Sequence, residues 1–231
     1  QAALTLQTTT TFTPQQVHDL GLSEVKRVQA EQDALARSAG FKDADAYYQE
    51  LERVDPPAPF TDENRAAILA YANSLIANTR TQLPKAFNTL PAYGAEVVRE
   101  PAFSEVAGAA AHAEGPSPDG ARPGRVYLHM LGKTPPRAGL PSLMCHEGIP
   151  GHVMQGDIRV RQQGAPKFRL AARNAAFNEG WALYAELVCK EMGVYPDIAS
   201  DFMRLDAELF RAARWGVVLR QPIYEKDRMD P

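Results

Sequence analysis

The sequence predicts a mainly helical α+β protein, and three observations carry that expectation. Apolar residues recur at helical spacing along most of the chain, capping signatures stand at the starts of those runs, and one compact apolar stretch, Arg125–Leu131, has strand character between Gly124 and Gly132. The 231 residues suffice for one large domain or two small ones, with a core that needs no covalent staples.

The elements follow in order. Thr13-Pro14-Gln15-Gln16 fits an N-cap, a proline at the first helical position and a capping box. Gly21 is expected to stop that turn after Val17 and Leu20. Ser23 then starts a longer helix through Val25, Val28 and Leu35 that ends at Gly40. A short helical stretch over 44–51 runs into Asp55-Pro56-Pro57-Ala58-Pro59, which breaks it. Thr61 caps another helix with Ala67, Ile68, Tyr71, Leu75 and Ile76 on one face, and Leu83-Pro84 ends it. Val97-Val98 marks a second strand candidate, 107–113 is rich in alanine, and 115–124 reads as an exposed Pro/Gly loop. From Pro141 onward the pattern is helical again. The expected division is a helical lobe over 1–89 and a chemistry-bearing core over 90–231.

Composition narrows the classes. Hydrophobic residues make up 45% and charged residues 23%, with a net charge of −3. There is no basic stripe, so nucleic acid is not an expected partner. No apolar run approaches the about 18 residues of a membrane span. Cys145 and Cys189 both sit in helical patterns and read as buried free thiols. The chain opens on Gln1 with no signal-peptide pattern, as a mature or trimmed product would. The expected location leans periplasmic or secreted, with cytoplasmic still open.

The informative stretch is His146-Glu147-Gly148-Ile149-Pro150-Gly151-His152-Val153-Met154-Gln155. A familiar zinc helix carries two His four residues apart with a Glu after the first. Here the spacing is six, which on a straight helix rotates the second ring about 120° away and roughly 9 Å along the axis. Pro150-Gly151 offers a remedy. Proline removes a helical hydrogen bond and glycine accepts unusual backbone angles, so a bulge that absorbs two residues restores an effective four-residue spacing. The same pair would also serve to end a helix at Ile149. Glu179, in Asn178-Glu179-Gly180-Trp181, supplies a third candidate ligand 27 residues after His152. Two His and a carboxylate with an open position are what catalytic zinc requires. Glu186 lies seven residues further along the same helical face and can orient a ligand His. Trp181, Leu183 and Tyr184 read as core packing.

These residues look like a family. The His-Glu-x-x-Pro-Gly-His-x-x-Gln motif with the later Glu-Gly-Trp-Ala-Leu-Tyr-Ala-Glu resembles the bacterial family catalogued as domain of unknown function 885, grouped with the gluzincin metallopeptidases. Asn178-Glu179-Gly180 with Tyr184 and Glu186 is also similar to the third-ligand segment of M1-type aminopeptidases. Weaker matches run through Thr13-Pro14, Leu20–Val25, Arg122-Pro123-Gly124 and Arg211–Arg214. The resemblance implies that His146, His152 and Glu179 bind zinc, that Glu147 is the general base, and that Gln155 and Glu186 support the ligands. It implies a gluzincin-like helical core with a small antiparallel sheet, whose edge strand, Arg125–Leu131, lies beside the zinc helix and pairs with an extended peptide. Family members are longer, so the expected identity is the C-terminal part of a larger protein. After Arg214 the chain departs from the family pattern, continuing with Trp215–Arg220 and a polar tail, and no His follows His152.

The implied chemistry is hydrolysis of a peptide or small amide by metal-activated water. Candidate oxyanion contacts are Tyr127, His129, Tyr184, Arg211 and Arg214. Two other readings use the same residues: a zinc hydrolase for an ester or non-peptide amide, and a helical zinc-binding module that lacks catalytic parts. Retention of Glu147 argues against the last, and the departure after Arg214 argues for it.

Overall fold

In the computed structural model, which describes residues 2–166, 168 and 174–218, helices begin where capping side chains stand. After α1 (Ala2–Thr8), α2 (Pro14–Ser38) starts behind Thr13. The Thr13 hydroxyl accepts from the Gln16 amide while the Gln16 side chain accepts from the Thr13 amide, so two otherwise orphaned donors are satisfied. The expected stop at Gly21 does not occur. One helix runs through it, and Gly21 is buried on the same face as Val17, Val28 and Ala36. Interior glycine costs about 1 kcal/mol relative to alanine, and burial of that face outweighs it. Next come α3 (Ala44–Val54) and α4 (Asp62–Gln82), the latter behind a second capping box of Thr61 and Asn64.

The sheet differs from expectation. Its strands are β1 (Ala95–Arg99), β2 (Ala111–Glu114) and β3 (Gly124–Leu128), in the order β1-β3-β2. β1 pairs parallel to β3 and β2 pairs antiparallel to it, so the sheet is mixed. The Arg125–Leu131 stretch therefore supplies the central strand, not an edge. Gly124, Val126 and Leu128 alternate inward, which suits a strand with a neighbour on each side. An edge falls instead to alanine-rich β2, which gave no strand signal because alanine is depleted in strands.

The described residues group into two compact units. One comprises, of the described residues, 2–49 and 202–218. Within it Tyr47 meets Phe202 edge-on at 4.9 Å, and Arg27 is ion-paired with Glu24, Glu31 and Glu208. The other comprises residues 50–201 and holds the whole sheet. Helix α4, which the 1–89 division assigned to the first lobe, packs in this unit against β1 and against residues 144–148. Its core is Leu75, Ile76, Val97, Val126, Leu128, Met144, Ile149, Val153 and Met154. Full burial of each such side chain stabilises by roughly 1.5–3 kcal/mol, so the segment around residue 149 is anchored as firmly as the sheet. No helix among the described residues is long and apolar enough to cross a membrane.

Candidate metal centre

The chain breaks its own helix at the motif. α5 (Leu140–Leu143) widens into a π-helical turn, Met144–Gly148, and the backbone then leaves helical geometry. Ile149 is extended (φ −122°, ψ 133°), the Ile149–Pro150 peptide is cis, and α6 (His152–Val160) begins only after Gly151. Gly151 is required here by space. A Cβ at that position would stand 1.8 Å from the carbonyl oxygen of His146 and 2.4 Å from that of Cys145. The indole N–H of Trp181 donates to the Pro150 carbonyl at 2.9 Å, satisfying a group that the break frees from helical pairing. The result brings the His146 and His152 rings to 5.0 Å between centroids, at 90° to each other.

The third element is α7 (Ala175–Glu191), capped by Asn174, whose side chain accepts from the Phe177 amide at 3.0 Å. Glu179 lies on its first turns. One carboxylate oxygen is 3.5 Å from His146 Nε2 and the other 3.7 Å from His152 Nε2. Two turns further on, Glu186 is buried. It meets His146 Nδ1 at 2.8 Å through one oxygen and accepts from the Ser142 hydroxyl at 2.8 Å through the other. The carboxylate thus holds the proton on His146 Nδ1 and leaves the Nε2 lone pair facing Glu179 and His152.

Cys145 and Cys189 form a disulfide between the π turn and α7, which corrects the expectation of free thiols. They neighbour the paired His146 and Glu186, one residue before the first and three after the second, so that pairing brings the sulfurs together. The crosslink closes a separation of 44 residues, for which chain-entropy reasoning gives roughly 4 kcal/mol of stabilisation.

The neighbouring rings of His146 and His152 hold the Glu179 carboxyl well below the usual carboxylate range. Burial pushes the Glu147 carboxyl up, against the pull of His146 and His152. Ligand atoms of His146, His152 and Glu179 all lie within 4.8 Å of one another. Two imidazole nitrogens, one carboxylate and a pre-set tautomer fit a zinc ion with an open position.

The other sequence candidates fall in several places. Gln155 is one turn past His152 on α6, and its side-chain amide nitrogen is buried without a hydrogen-bond partner among the described residues. Tyr127, on β3, stacks on His112 at 4.9 Å. His129 accepts from the Val106 amide and groups with Glu100 and His112. Tyr184 is 54% exposed, on the outside of α7, and so is not the core residue expected. Arg211 and Arg214 belong to the unit of residues 2–49 and 202–218, where the Arg214 guanidinium lies over the Phe210 ring. The departure after Arg214 falls on side chains 215–231, outside the described residues. Sequence reasoning missed Ser142 and the Trp181 hydrogen bond, since neither carries a motif of its own.

Comparison with known proteins adds the following. Residues 1–218 match the profile of a family described as bacterial protein of unknown function (DUF885). No curated protein sequence matches this one. The crystal structure of a protein described as "the putative lipoprotein from Colwellia psychrerythraea" is similar, with a TM-score of 0.87 and 30% sequence identity. The match covers 95% of this chain and 38% of that one, so the chain spans well under half the length of that protein.

Proposed function

The chain belongs to the DUF885 family of bacterial proteins, and we propose that it is the zinc-binding core of a metallopeptidase. One observation carries the reading. Two imidazoles and a carboxylate converge across a deliberately broken helix, and a buried carboxylate fixes the outward nitrogen of one ring. In this reading His146, His152 and Glu179 hold the ion and Glu186 positions His146. Bound zinc would polarise a scissile carbonyl and lower the pKa of water towards about 7.

Glu147 is the general base. It follows His146 directly and senses the charges of His146, His152 and Glu179, so its carboxylate lies within their field. It takes one proton from the attacking water and returns it to the leaving nitrogen, so protons balance over the turnover. Its burial raises proton affinity, which favours taking the proton from water.

Sheet topology favours a peptide over an ester. β2 is an edge strand that packs beside α6, and among the described residues no strand pairs with its outer side. An extended peptide can add there by main-chain hydrogen bonds, which an ester lacking amide groups cannot match. The Cys145–Cys189 disulfide supports an oxidising compartment, in agreement with a periplasmic or secreted location.

The test is hydrolysis of casein and short peptides by the zinc-loaded protein and by Glu147→Gln. Loss of turnover by about 10²–10⁴ with the metal retained is expected. Equal rates in both proteins remove Glu147 from the mechanism. Cleavage of esters but not peptides would support the broader hydrolase reading. Zinc binding without any turnover would support a module that lacks catalytic parts.

A further inference from the structure

A second group of metal-type ligands stands on the sheet, built from residues outside the first site. β1 and β3 run parallel with Arg99 opposite Leu128, so Glu100 and His129 are neighbours one residue beyond that pair. The ladder continues through both, since the Glu100 amide donates to the Leu128 carbonyl at 2.9 Å and the His129 amide to the Ala110 carbonyl at 3.1 Å. β2 runs antiparallel and sets His112 opposite Tyr127, diagonal to His129. Side chains alternate across a sheet, so all three project from the face opposite Val97, Val126 and Leu128.

Their chemistry is that of an incomplete coordination sphere. Ligand atoms of Glu100, His112 and His129 lie within 4.8 Å of one another. The Glu100 side chain is 9% exposed, and its Oε2 lies 3.7 Å from His112 Nε2. That oxygen is buried and accepts no hydrogen bond among the described residues. A buried carboxylate oxygen without a donor is unfavourable, and a cation between it and the two rings would satisfy it. The backbones of all three residues are held by sheet hydrogen bonds, so only side-chain movement is needed to reach the about 2.0–2.2 Å of zinc–nitrogen and zinc–oxygen bonds.

One contact opposes binding. The Val106 amide donates to His129 Nδ1 at 3.1 Å. Neutral imidazole has one lone-pair nitrogen, so this bond places the ring proton on Nε2. A metal on Nδ1 takes that lone pair. A metal on Nε2 moves the proton to Nδ1, which then cannot accept. Either way, cation binding and the Val106 hydrogen bond exclude each other. Val106 is 58% exposed, so its amide can turn to water when released. The loop is also held independently, because Glu105 pairs with Arg99 and accepts from the Met130 amide.

We propose that Glu100, His112 and His129 form a second zinc site, weaker than the first, whose occupation releases the Val106 amide from His129. The claim does not depend on the peptidase reading. The test titrates Zn²⁺ into the full chain and into two folded variants, Glu100→Gln/His112→Ala and His146→Ala/His152→Ala, reading stoichiometry by calorimetry and elemental analysis. The expected result is two ions per parent chain and one in each variant, with the ion left in His146→Ala/His152→Ala at least tenfold weaker. Amide exchange at Val106 should quicken as the second ion binds. Unchanged stoichiometry in Glu100→Gln/His112→Ala, with Val106 exchange indifferent to zinc, overturns the proposal. If the parent binds a single ion that only Glu100→Gln/His112→Ala loses, the second site stands and the first fails. The converse single loss removes the second.

Discussion

Two clusters in this molecule have the same composition, two His and one Glu, each with its ligand atoms within 4.8 Å of one another, yet their surroundings differ in kind. At His146 the far ring nitrogen faces a buried carboxylate, which itself is held by Ser142. At His129 the corresponding nitrogen accepts a backbone N–H. The first arrangement prepares a ring for a metal, and the second occupies its lone pair. The backbones differ as well. His146 and His152 depend on a broken helix locked by Trp181 and a disulfide, whereas Glu100, His112 and His129 need only a regular sheet register. Readiness for a cation is therefore set by what stands behind the ligands more than by the ligands themselves.

The largest expected effect breaks the first cluster alone. Gly151→Ala places a Cβ inside contact distance of two carbonyl oxygens, so the break at 149–151 cannot form as it does. We expect a loss of more than about 3 kcal/mol in urea unfolding and loss of the first ion, since overpacking at backbone has no flexible neighbour to absorb it. A variant with parental stability and zinc content would show that the close approach is not required. Next in size, Glu186→Gln makes the first cluster resemble the second by removing the charged acceptor behind His146. Zinc affinity should fall about 10–100-fold while the fold persists. An unchanged dissociation constant would remove Glu186 from the design.

Smaller effects sharpen the other side. Val106→Pro deletes the amide that competes at His129, so affinity for the second ion should rise a few-fold, on the order of one net hydrogen bond. A weaker second ion would contradict the exclusion argument. Smallest is the anchor of that loop. Arg99 holds the Glu105 carboxyl down at about 2, against 4.5 for the free group. A depressed folded value stabilises above the unfolded one, so the contribution is complete above about 4.5 and fades as pH falls towards 2. Glu105→Gln should melt lower than the parent at neutral pH, with the gap closing in acid. A gap constant with pH would show that the ion pair contributes nothing.

The sequence made the first cluster readable because its parts are local. His146, Glu147 and His152 occupy one segment, Glu179 and Glu186 one helix, and the impossibility of a six-residue chelate on a straight helix points to Pro150-Gly151 by geometry alone. Helix starts at Pro14 and Asp62 were readable for the same reason, since a cap is a short-range interaction. What escaped depends on register and packing. Glu100, His112 and His129 meet only because β1 and β2 flank β3, and no periodicity in 100–129 encodes that order. β2 is hidden by alanine, and Gly21 stays helical because its face is buried. The disulfide follows from two helices meeting, which neither cysteine signals alone.

Metal analysis with anomalous scattering at the zinc edge bears most directly on the proposed centre. The zinc-loaded protein should show one strongly bound ion with His146 Nε2, His152 Nε2 and a Glu179 oxygen at about 2.0–2.2 Å, lost in His146→Ala/His152→Ala. Zinc absent from that position, or retained there at full occupancy after both His are removed, would contradict it.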